Sequence, residues 1–342
     1  MDQNAEILKN AISGSLKIIE QEREKEIISR RFGLKGNKET LEQIGEMLSI
    51  TRERVRQLEK AILIRLQICA EEGQIPELAA AEKILIRNLT ETGRVSKLGD
   101  LADKIYGREA TASERAGIYF IATFSKNLTI VEENDRYNVA VGIAEYGDSK
   151  KIRERVDEIA KVVRENKKPI SLEELDEKLN YEHPSHIKAV ASISKLLATL
   201  NGVWGLAKWP SVNPKNIRDK IFVILEAKKE PMHFSEIAKE IKESNFKRKN
   251  VTVQAIHNEL IKDARFVLIG RGIYALSTWG YKKGTILEII RSVLEKAGEP
   301  MTREEIVKQV LKVRKVKETT ILLNLQNKDY FKKVDKNSYT LA

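Results

Sequence analysis

The chain has 342 residues, with 61 lysines and arginines against 50 acidic residues and a formal charge of +11. Aromatic residues make up only 6%, which argues against one large β-rich domain, while 42% hydrophobic and 32% charged residues fit a folded, helix-rich chain and exclude disorder. Cys69 is the single cysteine, so no intramolecular disulfide can form, and with His183, His186, His233 and His257 it falls short of a zinc site.

The expected compartment is therefore reducing, and no metal or other cofactor is expected. No apolar run approaches the roughly 20 residues that span a bilayer, and the N-terminus has no apolar signal core. A membrane-inserted or secreted protein is not expected. The basic excess fits nucleic acid, an anionic membrane surface or an acidic protein partner, and charge alone does not choose among them.

From Asn4 to about Glu72 the pattern is that of helices with short connections. Thr40 with Gln43 three residues later is a capping-box start, after which Leu41, Ile44 and Leu48 recur at helical spacing. Ser49-Ile50 makes the break. Thr51 can cap a second helix, in which Val55, Leu58, Ile62 and Leu66 keep the period. The result is helix, tight turn, helix.

After Gly73-Gln74-Ile75-Pro76 a longer unit recurs about every 60 to 70 residues. Its best fragments are Lys168-Pro169-Ile170-Ser171-Leu172-Glu173-Glu174-Leu175, Glu230-Pro231-Met232-His233-Phe234-Ser235-Glu236-Ile237 and Glu299-Pro300-Met301-Thr302-Arg303-Glu304-Glu305-Ile306, with a fainter copy at Arg94-Val95-Ser96-Lys97-Leu98-Gly99-Asp100-Leu101. Proline ends the preceding amphipathic helix and leaves its neighbour extended, so each fragment separates one helix from the next. A third helix follows, as in Val253, Ile256 and Leu260.

Each unit closes on two β-like runs around a polar or glycine turn: Leu128 to Val131 with Tyr137 to Val139, Phe266 to Ile269 with Ile273 to Leu276, and Phe331 to Val334 with Ser338 to Leu341. Val203 to Leu206 reads as a degenerate copy. Three helices plus a hairpin is the winged-helix plan, so the expected fold is mainly α, a tandem of helix-turn-helix and winged-helix domains with short β-hairpin wings. The expected division is 1–74, 75–147, 148–212 (with a degenerate wing), 213–281 and 282–342.

The stretch Thr51-Arg52-Glu53-Arg54-Val55-Arg56-Gln57-Leu58-Glu59-Lys60 carries the chemistry. At about 100° per residue, Val55, Leu58, Ile62 and Leu66 share one face, and Arg52, Glu53, Arg56, Gln57 and Lys60 take the opposite one. An arginine fork can pair with guanine, glutamine with adenine, and glutamate can accept from cytosine, and the start of the second helix is where such side chains meet base edges. Thr51 and Lys60 are placed for phosphate. A merely solvated face, laced by ion pairs with Glu53 and Glu59, is the competing reading.

These residues resemble region 4 of the primary sigma factors of bacterial RNA polymerase. The resemblance runs from Gln21-Glu22-Arg23-Glu24-Lys25-Glu26-Ile27-Ile28 through Arg30-Arg31-Phe32-Gly33-Leu34 and Thr40-Leu41-Glu42-Gln43-Ile44-Gly45 to Glu59. It implies that Arg52, Glu53, Arg56 and Gln57 hold the contacts to the −35 promoter element and that Arg31, Phe32 and Gly33 lie near the surface that grips the polymerase flap. Ser49 stands where the family usually has the turn glycine. If that position needs a positive φ, the substitution costs up to about 1 to 2 kcal/mol. Nothing resembles the aromatic-rich region that melts the −10 element, so a complete initiating sigma factor is not expected.

Residues 216–280 resemble the HARE-HTH domain, a winged helix of chromatin regulators, restriction endonucleases and the polymerase delta subunit. Met232-His233-Phe234-Ser235-Glu236-Ile237-Ala238, Val253, Ile256, Leu260 and Gly270-Arg271-Gly272-Ile273-Tyr274-Ala275-Leu276 carry it. Lys247, Arg248 and Lys249 ahead of the third helix, Arg271 at the wing tip, and Arg314 and Lys315 in the last unit are candidate phosphate contacts. A solvated lysine-rich loop is the alternative for each cluster.

His183 and His186 fit a capped turn beside Pro184 better than a metal site, and His233 and His257 fit helix starts or surface. Trp204, Trp209 and Trp279 fit domain joints, with stacking on single strands as the alternative. No Ser/His/Asp set, phosphate loop or dinucleotide fingerprint occurs, so no enzyme, small-molecule substrate or membrane partner is expected. The expectation is a cytoplasmic, nucleoid-associated bacterial transcription regulator that binds double-stranded DNA sequence-specifically, with RNA polymerase core as a possible partner. Two alternatives stand beside it: a polymerase-associated protein without its own DNA affinity, and the DNA-recognition part of a restriction or defence system.

Overall fold

In the computed structural model, residues 2–246, 250–281, 283–335 and 337–342 are described. Contacts gather them into two units, Met1–Lys208 and Trp209–Ala342.

The first unit starts with α1 (Asp2–Ile18), α2 (Glu22–Phe32), α3 (Leu41–Leu48) and α4 (Arg52–Glu71). It continues with α5 (Pro76–Thr92), β1 (Val95–Lys97), α6 (Leu98–Tyr106), α7 (Ala112–Phe124), β2 (Leu128–Val131) and β3 (Ala140–Ile143). The same order then recurs in α8 (Ser149–Asn166), β4 (Ile170–Ser171), α9 (Leu172–Leu179), α10 (Pro184–Ile193), β5 (Leu197–Leu200) and β6 (Val203–Leu206). The second unit holds two more copies. One is α11 (Ile217–Lys228), β7 (Met232–His233), α12 (Phe234–Glu243), α13 (Val253–Lys262), β8 (Phe266–Gly270) and β9 (Ile273–Leu276). The other is α14 (Ile286–Ala297), β10 (Met301–Thr302), α15 (Arg303–Val313), α16 (Glu318–Leu325), β11 (Phe331–Lys333) and β12 (Ser338–Leu341).

Helix, short strand, two helices and a hairpin make the winged-helix plan, and each copy closes its own three-stranded antiparallel sheet with the last strand in the centre. The proline-containing fragments have a double role here. Ile170, Met232 and Met301 pair with the hairpin, opposite Trp204, Tyr274 and Tyr339. The following residue ends the strand and also caps the next helix. Ser171 Oγ accepts from Glu174 N (3.2 Å) while Glu174 accepts from Ser171 N (3.0 Å), and Thr302 with Glu305 repeats this at 3.3 and 3.0 Å. In the third copy His233 Nδ1 accepts from Ser235 N (3.3 Å) and Glu236 accepts from His233 N (2.9 Å). In the first copy Lys97 stands at this place and makes no side-chain cap, since an ammonium has no acceptor, which is why that fragment is faint in the sequence.

Several sequence expectations need correction. The second hairpin is not degenerate: Leu197–Leu200 pairs in full register with Val203–Leu206 across Asn201-Gly202, both at positive φ, the geometry a two-residue hairpin prefers. The last strand of the first hairpin is Ala140–Ile143 rather than Tyr137 to Val139, because Tyr137 bridges instead to Ser194. Trp204 is buried in its own sheet, and Trp279 packs on Val267, Ile269 and Ala275. The first helix does not join the helix-turn-helix core. Leu8, Ala11 and Ser15 lie buried along it, with Ile19 buried just beyond its end, and α1 packs on α5, α6 and α7. Gly117 of α7 gives room to the Ile12 side chain, whose Cδ1 would have to shift to admit a Cβ there.

Among the described residues no helix is long and apolar enough to cross a membrane.

Candidate nucleic-acid interface

Helices α2, α3 and α4 enclose a small core of Ile27, Ile44 and Val55, flanked by Leu41, Leu48, Ile50 and Leu58. Thr40 caps α3, with Gln43 closing the box by accepting from Thr40 N (2.9 Å), and Thr51 Oγ1 accepts from Arg54 N (3.1 Å) at the start of α4. Between them the chain turns at Ser49 (φ 53°, ψ 45°), and Ile50 N donates back to Gly45 O (2.9 Å). Arg23 reaches over from α2 to donate to Leu48 O (2.7 Å), and Arg31 pairs with Glu59 at 3.2 Å, so α2 holds both helices of the motif.

Ser49 therefore occupies the left-handed region without being glycine. Ser49→Gly is expected to stabilise this unit by about 1 kcal/mol, read as a higher urea midpoint, by relieving the Cβ clash. An unchanged or lower midpoint would show that the serine side chain offsets its own strain.

This frame leaves the predicted face open. Arg52, Glu53, Arg56, Gln57 and Lys60 are all exposed, while Val55 is fully buried beneath them. The face is also internally paired. Arg56 Nε and Nη2 donate to Glu53 at 2.9 and 2.6 Å, Gln57 Nε2 donates to Glu53 Oε1 at 3.4 Å, and Arg52 lies 3.7 Å from Glu42. The Arg56 fork holds the Glu53 carboxyl below the usual carboxylate range, and the same bond raises Arg56. A base that takes the Arg56 fork must displace Glu53. Arg54, which the sequence reading did not single out, is also exposed. Its place about 200° around the helix from Arg52 puts it on the flank rather than on the reading face.

The remaining candidates divide. Thr51 is exposed and already uses an acceptor site on its own helix. Arg271 is exposed at the tip of the β8–β9 hairpin, whereas Lys247, Arg248 and Lys249 lie outside the described residues. Arg314 is not placed as a phosphate contact: its guanidinium donates to Leu268 O and Gly284 O, and burial pushes its pKa down. It serves as a strut inside the second unit. Lys315 keeps its side chain exposed while its backbone N–H donates to Ile269 O (3.1 Å).

The segment expected to face a polymerase flap is also corrected in part. Phe32 is only 6% exposed, with ring centroids 5.1 Å from Phe120 and 5.8 Å from Tyr119 on α7, and Gly33 is the buried left-handed cap of α2. Arg31 is tied to Glu59. The ring is therefore covered by the chain's own downstream helix. Two histidines serve as helix caps, His183 through Ser185 N (3.1 Å) and His233 as described above.

Residues 21–67 match the family model of sigma-70, region 4, and residues 217–279 match that of the HARE-HTH domain, the helix-turn-helix named for ASXL proteins and restriction endonucleases. The chain is also 40% identical over 57 residues to the RNA polymerase sigma factor SigA4 of Synechococcus elongatus. That match covers 16% of this chain and 18% of the sigma factor, so the likeness is confined to region 4. Both matched domains are of the DNA-binding helix-turn-helix type, and with the fold they indicate a DNA-binding regulator.

Proposed function

We propose that the chain is a bacterial transcription regulator that reads duplex DNA through the start of α4, with Arg52, Glu53, Arg56 and Gln57 at base edges. Thr51, Lys60, the cluster Lys247, Arg248 and Lys249, Arg271 and Lys315 supply the salt-sensitive phosphate contacts. The observation that carries this reading is the reading face itself, four exposed polar side chains on one side of a helix whose other side is locked by Val55, Ile44 and Ile27. The match to sigma-70, region 4 supports a promoter element as the target. Division at 1–74, 75–147, 148–212, 213–281 and 282–342 into a helix-turn-helix and four winged helices, with α1 packed on the first winged helix rather than in the helix-turn-helix core, and a cytoplasmic, nucleoid-associated location complete the proposal.

A polymerase contact is the second reading, favoured by the same match. Since Phe32 is covered, such a contact would run through the exposed loop at Lys35, Gly36, Asn37 and Lys38. Selection of bound fragments from a random duplex library tests the main reading. A single enriched motif, lost when Arg52 and Arg56 are both replaced, is expected. Retention on core polymerase without any enrichment would overturn it in favour of the second.

A further inference from the structure

Away from the reading face, the first unit contains a cleft of about 340 Å³ between the α5–β1 corner, the end of β3, α8 and the α9–α10 connection. Two tyrosines on its wall are anomalous. The Tyr181 hydroxyl is shielded from solvent yet has no hydrogen-bond partner, and the Tyr146 hydroxyl, on a residue only 7% exposed, has no well-formed hydrogen bond and only a weak approach from Arg155. Buried hydroxyls left unpaired are costly, and native interiors pair nearly all of them.

The cleft is lined by charges of both signs. Arg94, Lys151 and Arg155 face Glu145, Glu158 and Glu182 in its lining, and apart from Arg155 none of these side chains makes a hydrogen bond or ion pair among the described residues. Arg155 donates to Tyr146 O (2.8 Å), and its guanidinium carbon lies 4.0 Å from the Tyr146 ring centroid. Burial pushes both tyrosine hydroxyls up, with Arg155, Arg94 and Glu182 near that of Tyr146 and with Tyr146, Glu158 and Arg155 near that of Tyr181. His186, 8% exposed, lies beside Tyr146 at 5.4 Å between ring centroids and is pushed towards its neutral form by burial and by Arg94.

The backbone at the cleft is also strained in a way that serves the site. Arg94 sits at φ 69° directly after Gly93 at φ 108°, and a Cβ on Gly93 would collide with Ser185 O. Such strain persists where surrounding structure enforces it, and it tends to collect at ligand sites. Here it brings the Arg94 charge into the lining beside Tyr146.

We propose that this cleft binds a small zwitterion of the free amino-acid type, its carboxylate towards Arg94, Arg155 and the Tyr146 hydroxyl and its ammonium towards Glu158 beside Tyr181. The lining offers both signs, so a ligand that carries both meets Arg94 and Glu158 together, where a simple anion or cation would meet one set only. The proposal does not depend on the DNA reading.

The test is thermal shift and titration calorimetry on the full chain with each of the twenty common amino acids, and with inorganic phosphate alone in parallel. At least one amino acid is expected to raise the melting temperature at about 10 mM, by linkage to the folded state. Tyr146→Phe is expected to weaken that ligand at least about tenfold, with little change in the melting temperature of the free protein, because the hydroxyl removed makes no well-formed hydrogen bond. Tyr181→Phe is the second variant, expected to behave alike. No shift with any amino acid, binding of phosphate alone, or unchanged affinity in both variants would overturn the proposal.

Discussion

Arg56→Ala is expected to lower the preference of the protein for its selected duplex over a scrambled one by about ten- to a hundredfold, the range a bidentate arginine contributes against a wrong base. Lys60→Ala, one turn further along the same exposed side, should instead weaken all duplexes about equally and reduce the salt slope by about one. The contrast follows from geometry. Arg56 projects from the second turn of α4, where a helix entering the groove meets base edges, whereas Lys60 is a flexible point charge nearer the backbone. In the free protein Glu53 holds the Arg56 fork at 2.6 and 2.9 Å, so part of the binding energy is spent on displacing it. Anisotropy titrations at several salt concentrations separate the two effects, and equal loss on both duplexes for Arg56→Ala would remove Arg56 from the reading set.

Phe32→Ala should cost about 3 to 5 kcal/mol of unfolding free energy, which places it among the severest single substitutions in the chain. The ring is nearly inaccessible and packs edge-on against Phe120, itself held edge-on by Phe124 at 5.1 Å, and beside Tyr119, so truncation opens a hole that its two rigid aromatic neighbours cannot close. Urea unfolding followed by circular dichroism measures it. A loss below about 1 kcal/mol would mean that α2 and α7 part easily, and that the Phe32 ring is available to a partner after all.

The helix-turn-helix was legible in the sequence because its determinants are local. Thr40, Gln43 and Thr51 carry their capping function within three residues, and Ile44, Val55 and Leu58 mark their faces by period alone. The repeated fragments were legible for the same reason, since Ser171 and Thr302 cap a helix that starts at the next residue. What escaped depends on partners distant along the chain. The period of α1 shows that one face is buried but not that α5 and α7 bury it. Arg314 looks like its basic neighbours until Leu268 and Gly284 come within reach.

The second hairpin could have been found, because Asn201-Gly202 is a strong turn signal, but Leu197-Ala198-Thr199-Leu200 is too weakly patterned to read as a strand by itself. The cleft beside Tyr146 left no signature at all, since its residues come from segments separated by nearly a hundred positions and only the fold brings them together.

The segment that carries Arg314 and Lys315 has one more effect. In the third sheet β8 is an outer strand, and such strands invite foreign chains to add on. Here Lys315 N and the Arg314 guanidinium occupy the carbonyls of Ile269 and Leu268, so the protein shields that margin from within its own length. Cutting the chain near residue 281 would strip the guard away, and self-association through the bared strand is what such a fragment would risk.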